Sequence, residues 1–183
     1  FPDTPASLAN SAGLMANKAN HFQLVRPGIA LYGGRAISGR KNPMSSVVSL
    51  HVPILQVRDG KTGETVGYGA EYTLQRDSRI AIISLGYADG FLRSASSSNS
   101  RQGAKLAING HLVPVLGKVS MDLVAVDVTG FGLNGPVPGE MVEVLGPTVS
   151  VDDLADAAGT IGYEILTGLK GRYHRTYFGS EIE

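Results

Sequence analysis

The chain has no cysteine, which excludes disulfides and thiolate metal sites and suits a reducing cytoplasm, the compartment expected for it. It also has no net charge: 16 Lys and Arg stand against 16 Asp and Glu, without a run of five or six like charges. Neither nucleic acid nor an anionic membrane is therefore expected as a partner. No apolar run reaches the roughly 18 residues that span a bilayer, and no signal-peptide pattern opens the chain, so a soluble protein is expected. The histidines His21, His51, His111 and His174 show no ligand spacing such as H-x-x-x-H, and no metal site is expected. An initiating methionine is missing as well. Phe1 opens a loop-like stretch, FPDTPASLANSAG, which reads as the interior of a longer polypeptide.

Glycine, by contrast, is abundant at 24 of 183 residues, about twice the usual share of roughly 7%, so many turns and close backbone approaches are expected. The length fits one ordinary domain or two small pieces and allows a real core. SAGLMANK, from Ser11 to about Lys18, is mildly helical, with Ser11 available as its cap. FQLVRPGIALYGG reads as a buried strand broken at Pro27 and Gly28, and the polar RAISGRKNPM suggests a boundary near residue 45. Strand signals then dominate. SVVSLHVPILQVR and RIAIISLGYADG are β-branched and apolar, Asn109-Gly110 marks a hairpin, and SMDLVAVDVTG alternates with Val124, Val126 and Val128 on one face. Only VSVDDLADAAGTIGYEILTGL has helical spacing, opened by Ser150 and Asp153 in a capping-box pattern. The expected class is mainly β with late helices.

Four stretches carry polar or flexible residues that packing does not require. In LANSAG, Asn10 and Ser11 precede a helix, where a hydroxyl beside free amides suits a phosphate or a plain cap. VRPGIALYGG sets Arg26 in an apolar run near Gly28, and a buried guanidinium needs an acceptor, either an anionic ligand or a structural carboxylate. ETVGYGAEYTL holds Tyr68 between two glycines, where it is either an exposed chemical group or a ring packed at a strand end. LGYADGFLR and GKVSMDLVAVDV put Tyr87, Arg93, Lys118, Met121 and Asp122 at strand ends or turns.

Taken in order, ANSAG, LVRPGIALYG, YGAEYT, ISLGYADGFLR and GKVSMDLVAVDVTG closely resemble the C-terminal half of bacterial alanine racemase, from about Asn10 to Tyr177. The resemblance implies that residues 1–46 are the last portion of a (β/α)8 barrel that binds pyridoxal 5′-phosphate (PLP), and that residues 47–183 are the family's C-terminal β domain. It implies an isomerase that interconverts L- and D-alanine, supplies D-alanine for peptidoglycan, and works as a homodimer on a small amino-acid substrate. By the same resemblance Ser11, Gly28 and Ile29 hold the cofactor phosphate, and Arg26 donates to the pyridine nitrogen. A guanidinium keeps its proton, so that nitrogen would stay unprotonated. Tyr68 falls on the catalytic tyrosine, which reaches from one subunit's β domain into the partner's barrel. Racemisation takes two acid/base groups on opposite faces of the reacting carbon, and Tyr68 would be one of them. Met121 falls where a backbone group meets the substrate carboxylate. Tyr87 and Arg93 fall on the corridor through which substrate enters, and Lys118 stands where many relatives carry arginine.

The family's Schiff-base lysine lies upstream of everything in this chain. Lys18, in NKANHF, lacks the glycine and histidine that follow that lysine in the family and is not assigned its role. These residues alone are therefore expected to be inactive. A barrel without most of its strands cannot close its edges, so residues 1–46 are expected to be rearranged or poorly ordered. In LTGLKGRYHRTY, Gly171 stands where many members have a tyrosine that binds phosphate and narrows the gate; Tyr173 could replace it only if the loop shifted. Two alternatives are a racemase of another amino acid on the same scaffold and a non-catalytic β interaction module. Arg26 and Tyr68 stand against the second.

Overall fold

Alternating apolar residues between Leu50 and Leu145 close into a barrel in the computed structural model, which describes residues 3–179. Residues 1, 2 and 180–183, the outer ends of the two expected domains, lie outside the described residues. The chain begins with β1 (Ser7–Asn10), α1 (Ser11–Ala16) and β2 (Leu24–Arg26). β1 and β2 pair in parallel, with Ser7 opposite Leu24 and Asn10 opposite Arg26. Two parallel strands joined through a helix form the crossover unit from which α/β barrels are built. Residues 3–46 hold this one β-α-β unit, and no further strand follows before Leu50.

The barrel proper has six strands: β3 (Leu50–Gly60), β6 (Ser78–Ser84), β7 (Lys105–Ile108), β8 (His111–Leu116), β9 (Leu123–Asp127) and β10 (Met141–Leu145). Their order around the closed sheet is β10-β3-β6-β9-β8-β7, antiparallel throughout. A short hairpin of β4 (Thr65–Val66) and β5 (Tyr72–Thr73) stands apart from it. Asn109 and Gly110 join β7 to β8 with φ of 49° and 78°, the pair of positive values that a two-residue hairpin turn of the favoured twist requires. Closure leaves no open strand edge in the barrel itself and lets every second residue point inward.

Ile54, Ile83, Leu106, Ile108, Val113, Val115, Val124 and Val126 share one core, to which α2 (Val151–Ala158) and α3 (Gly162–Gly168) add Leu154, Ala155 and Ile165. Each fully buried side chain of this size contributes about 1.5–3 kcal/mol. Ser150 caps α2 in a complete capping box with Asp153, and Gly159, at φ 71°, ends it. Among the described residues no helix is long and apolar enough to cross a membrane.

Two local expectations fail. FQLVRPGIALYGG is not a buried strand: only Leu24–Arg26 is extended, Leu24 is largely exposed, and Ile29–Tyr32 forms a 3₁₀ turn. Among the described residues β2 pairs only with β1, so its apolar side chains meet no second layer. Ser11 does not cap α1. Asn10 does, its side chain accepting from the Gly13 N–H at 3.0 Å, and Ser11 is the first helical residue, turned inward.

Candidate functional site

The parallel register of β1 and β2 brings Ser11 and Gly28 together, because each follows the C-terminal end of its strand. Ser11 is buried, and its Oγ accepts from the Gly28 N–H at 2.9 Å and the Ala30 N–H at 3.3 Å. With both lone pairs engaged, the hydroxyl proton is left to donate. Ile29 lies between these two amides, and its own N–H has no acceptor among the described residues. A Cβ added at Gly28 would meet nothing within 4 Å, so the approach to the amide is open. A hydroxyl and a backbone N–H converging at the start of a helical turn suit a phosphate group, and so fit PLP.

Arg26 differs from its expected setting. The guanidinium is exposed, Nη1 donating to Ser7 Oγ at 2.5 Å and Nη2 to the Leu8 carbonyl at 3.4 Å. The acceptor that a buried arginine would need is thus a hydroxyl and a carbonyl on the neighbouring strand, with neither an anion nor a carboxylate involved. The guanidinium lies at the same strand ends that carry Ser11 and Gly28. Lys18 is exposed on the 3₁₀ turn Lys18–Asn20.

A second group gathers on the β domain. Tyr68 tops the β4–β5 hairpin and is 72% exposed, which resolves its two readings in favour of the exposed group. Its turn is held by backbone crowding: Gly67, Gly69 and Ala70 have φ of 80°, 73° and 50°, and a Cβ at Gly67 would approach the Lys118 N to 3.0 Å. Glycine is needed there for both its φ and its lack of a side chain. Tyr68, Arg58, Lys118 and Ser120 line one depression of about 340 Å³. Its two cations are partnered, Lys118 with Glu71 at 2.5 Å and Arg58 with Glu64 at 3.6 Å.

Met121 follows Ser120 in the turn that leads into β9, with its side chain half exposed. Its carbonyl accepts from the Ala88 N–H at 3.0 Å, and the Ser120 carbonyl accepts from the Tyr87 N–H at 3.1 Å. Gly86 fits beneath this turn only because it lacks a side chain; a Cβ there would fall on the Met121 carbonyl. The Met121 N–H has no acceptor among the described residues. Tyr87 therefore joins Met121, while Arg93 is exposed at the start of the 3₁₀ turn Arg93–Ala95, tied to the same region through Ser96 Oγ, which accepts from the Val119 N–H at 2.9 Å. No hydrogen bond or ion pair joins this group to Ser11, Arg26, Gly28 and Ile29 among the described residues.

The structure adds residues that the sequence did not single out. Arg58 lines the same depression as Tyr68, and Glu71 pairs with Lys118 at its edge. Asp89 accepts from the Gly86 N–H at 2.9 Å, and Arg172 lies 3.1 Å from Asp89 and 2.8 Å from Asp122. Nothing in the sequence signals that Asp89 meets a partner some eighty positions on. Tyr173 does not fill in for the tyrosine absent at Gly171: its ring packs on the β-domain core, its hydroxyl is buried without a partner, and burial together with the Asp89 charge pushes its pKa up to about 12.

Comparison with known proteins agrees with this architecture. Residues 47–177 match the family described as "Alanine racemase, C-terminal domain", and residues 1–36 match "Alanine racemase, N-terminal domain". The chain is 48% identical over 183 residues to the biosynthetic alanine racemase of Agrobacterium fabrum, covering 97% of this chain and 47% of that protein. It is 50% identical over 179 residues to an alanine racemase of Rhodospirillum rubrum, covering 98% of this chain and 46% of the other. The solved alanine racemase of Bartonella henselae with covalently bound pyridoxal phosphate superimposes with a TM-score of 0.85 at 39% identity, over 97% of this chain and 48% of that one. The chain spans about half the length of the curated relatives it matches.

Proposed function

The chain belongs to the alanine racemase family, and from that premise we propose that it is the C-terminal half of a PLP-dependent racemase interconverting L- and D-alanine. Residues 1–46 are the end of the PLP-binding barrel and residues 47–183 the β domain, with the boundary in the stretch between Gly33 and Leu50 that holds no helix or strand. The whole enzyme works in the cytoplasm, where it supplies D-alanine for peptidoglycan.

The observation that carries this reading is Tyr68, a large phenol held out to solvent on a turn of positive φ. A ring placed so is costly to justify by packing. Inverting a carbon next to a carboxylate means taking a proton from one face and returning one on the other, and Tyr68 is the acid/base group for one face. The second group comes from outside this chain. PLP, when bound, supplies the electron sink that makes that proton removable.

The residues of this chain bind and orient around it. The Ser11 hydroxyl and the Ile29 amide would hold the phosphate, with the Gly28 amide, which donates to Ser11 Oγ, orienting that hydroxyl. Arg26, steadied by Ser7, donates to the pyridine nitrogen and keeps its own proton. The free Met121 N–H takes the substrate carboxylate, while Tyr87 and Arg93 line the way in. Because Tyr68 and Met121 share no contact with the phosphate group of residues, a homodimer in which each β domain serves the partner's barrel brings the two sets together.

Tyr68→Phe in the full-length enzyme tests this. It is expected to retain PLP and to lose racemisation in at least one direction by roughly 10²–10⁴-fold, the usual contribution of one acid/base group. Full activity in both directions would end the assignment.

A further inference from the structure

The geometry points to Arg172 as a positioning residue for Met121, acting by holding together the two turns between which the Met121 amide is fixed; this rests on the racemase reading. The turn Gly86–Gly90 and the turn Ser120–Asp122 come from different strand ends, and four contacts join them. Two are the backbone bonds from Tyr87 and Ala88 to the Ser120 and Met121 carbonyls. The other two pass through one nitrogen: Arg172 Nη1 lies 3.1 Å from Asp89 Oδ1 and 2.8 Å from Asp122 Oδ1.

Asp89 is the anchored side of this bridge. It is buried, and its second oxygen accepts from the Gly86 N–H at 2.9 Å. Asp122 is half exposed and directly follows Met121, so whatever restrains Asp122 restrains the Met121 peptide. Bound to one nitrogen, the two carboxylates lie within about 6 Å of each other, close enough to repel once the guanidinium is gone. Arg172 itself is delivered by α3, whose end is pressed on the same turn: a Cβ at Gly90 would strike the Gly168 carbonyl. An isolated exposed pair would contribute little, but a planar cation shared by a buried and a half-buried carboxylate belongs to a network.

Removing the bridge lets the Ser120–Asp122 turn drift from the position in which its free N–H meets a carboxylate. Substrate and reacting state both carry that carboxylate, so binding suffers more than turnover. The test uses Arg172→Gln and Arg172→Lys in the full-length dimer, with alanine in both directions and propionate as a competing carboxylate that lacks the amino group. For Arg172→Gln the KM for alanine is expected to rise about 5–20-fold with kcat changed by less than about threefold, and the inhibition constant of propionate to rise by a similar factor. Lysine restores the charge but spans the two carboxylates poorly, so Arg172→Lys is expected to fall between.

Unchanged KM and inhibition constant in an active enzyme would overturn the positioning role alone. A fall in kcat at constant KM, the mark of fewer folded molecules, would overturn it too. If Arg172→Gln yields no folded protein, Asp122→Asn, which weakens one arm and leaves Asp89 paired, carries the same expectation. Wild-type enzyme that does not racemise alanine at all would instead sink the function on which the inference stands, and the inference with it.

Discussion

Tyr173 carries a phenol whose hydroxyl is buried without a partner, an arrangement that costs stability because the group gives up its bond to water and gains none. Tyr173→Phe removes the oxygen and keeps the ring, so it is expected to be neutral or stabilising by up to about 1 kcal/mol in urea denaturation. Its pH dependence follows from the same burial. The phenol's pKa is pushed from 10.0 up to about 12 by burial first and the Asp89 charge second, against the opposing pull of Arg172. A group raised on folding stabilises fully below its unfolded value and loses that contribution as pH climbs through the folded one, here between about pH 10 and 12. Stability of the wild type measured across that window should therefore fall more steeply than that of Tyr173→Phe; parallel curves would refute the assignment. At this scale the sequence was ambiguous. Two flanking glycines left an exposed and a packed Tyr68 both open, and Arg26 sat in a run of apolar letters that said nothing of how few layers would cover it.

The strands and turns were read more easily than the way they join. Alternation located β9, β-branched apolar runs located β3 and β6, and Asn109-Gly110 marked its hairpin because few other residue pairs tolerate two positive φ values. The circular order β10-β3-β6-β9-β8-β7 was hidden, since pairing β10 with β3 joins segments some ninety residues apart and no local signal records it. The crowding of one turn on another was hidden for the same reason. Gly86 reads as an ordinary strand-end glycine, yet it is required by the Met121 carbonyl across the fold. Gly86→Ala is expected to destabilise by about 1–3 kcal/mol, the usual cost of forcing an atom into a filled site. Gly130→Ala, where an added Cβ meets nothing within 4 Å, is the matched control and should stay within about 0.5 kcal/mol. Equal denaturation midpoints for the two variants would show that the close approach at Gly86 does not matter.

Across the whole molecule, the segment that bears Ser11, Arg26 and Gly28 is fastened to the β domain by one helix. Both oxygens of Asp152, in the first turn of α2, accept from the Arg35 N–H at 2.9 Å, and one also accepts from Asn42 Nδ2 at 3.0 Å. Arg35 reaches Asp156 on the next turn at 2.7 Å, and a partnered carboxylate there raises the guanidinium's pKa. Beneath these bonds the Ile29 side chain sits where a Cβ on Gly34 would go and lies within contact range of Gly162 at the start of α3, so the segment assigned to the phosphate rests on the helices of the other domain. The sequence could not show this latch, because Asp152 reads there as one more acidic residue near a helix start, favourable to the helix dipole and sufficient in itself. Asp152→Ala leaves the Arg35 N–H without its acceptor and takes from the Asn42 amide one of its two, the Gly33 carbonyl remaining, at a half-buried junction, and is expected to cost roughly 1–3 kcal/mol. The loss should be local in origin: limited proteolysis would cut the stretch between Arg35 and Ser46 faster, while the six-stranded barrel stays resistant. Asp152→Asn keeps one acceptor oxygen and should cost less. Cleavage at the wild-type rate in Asp152→Ala would mean that apolar contact through Ile29 alone holds the two parts together.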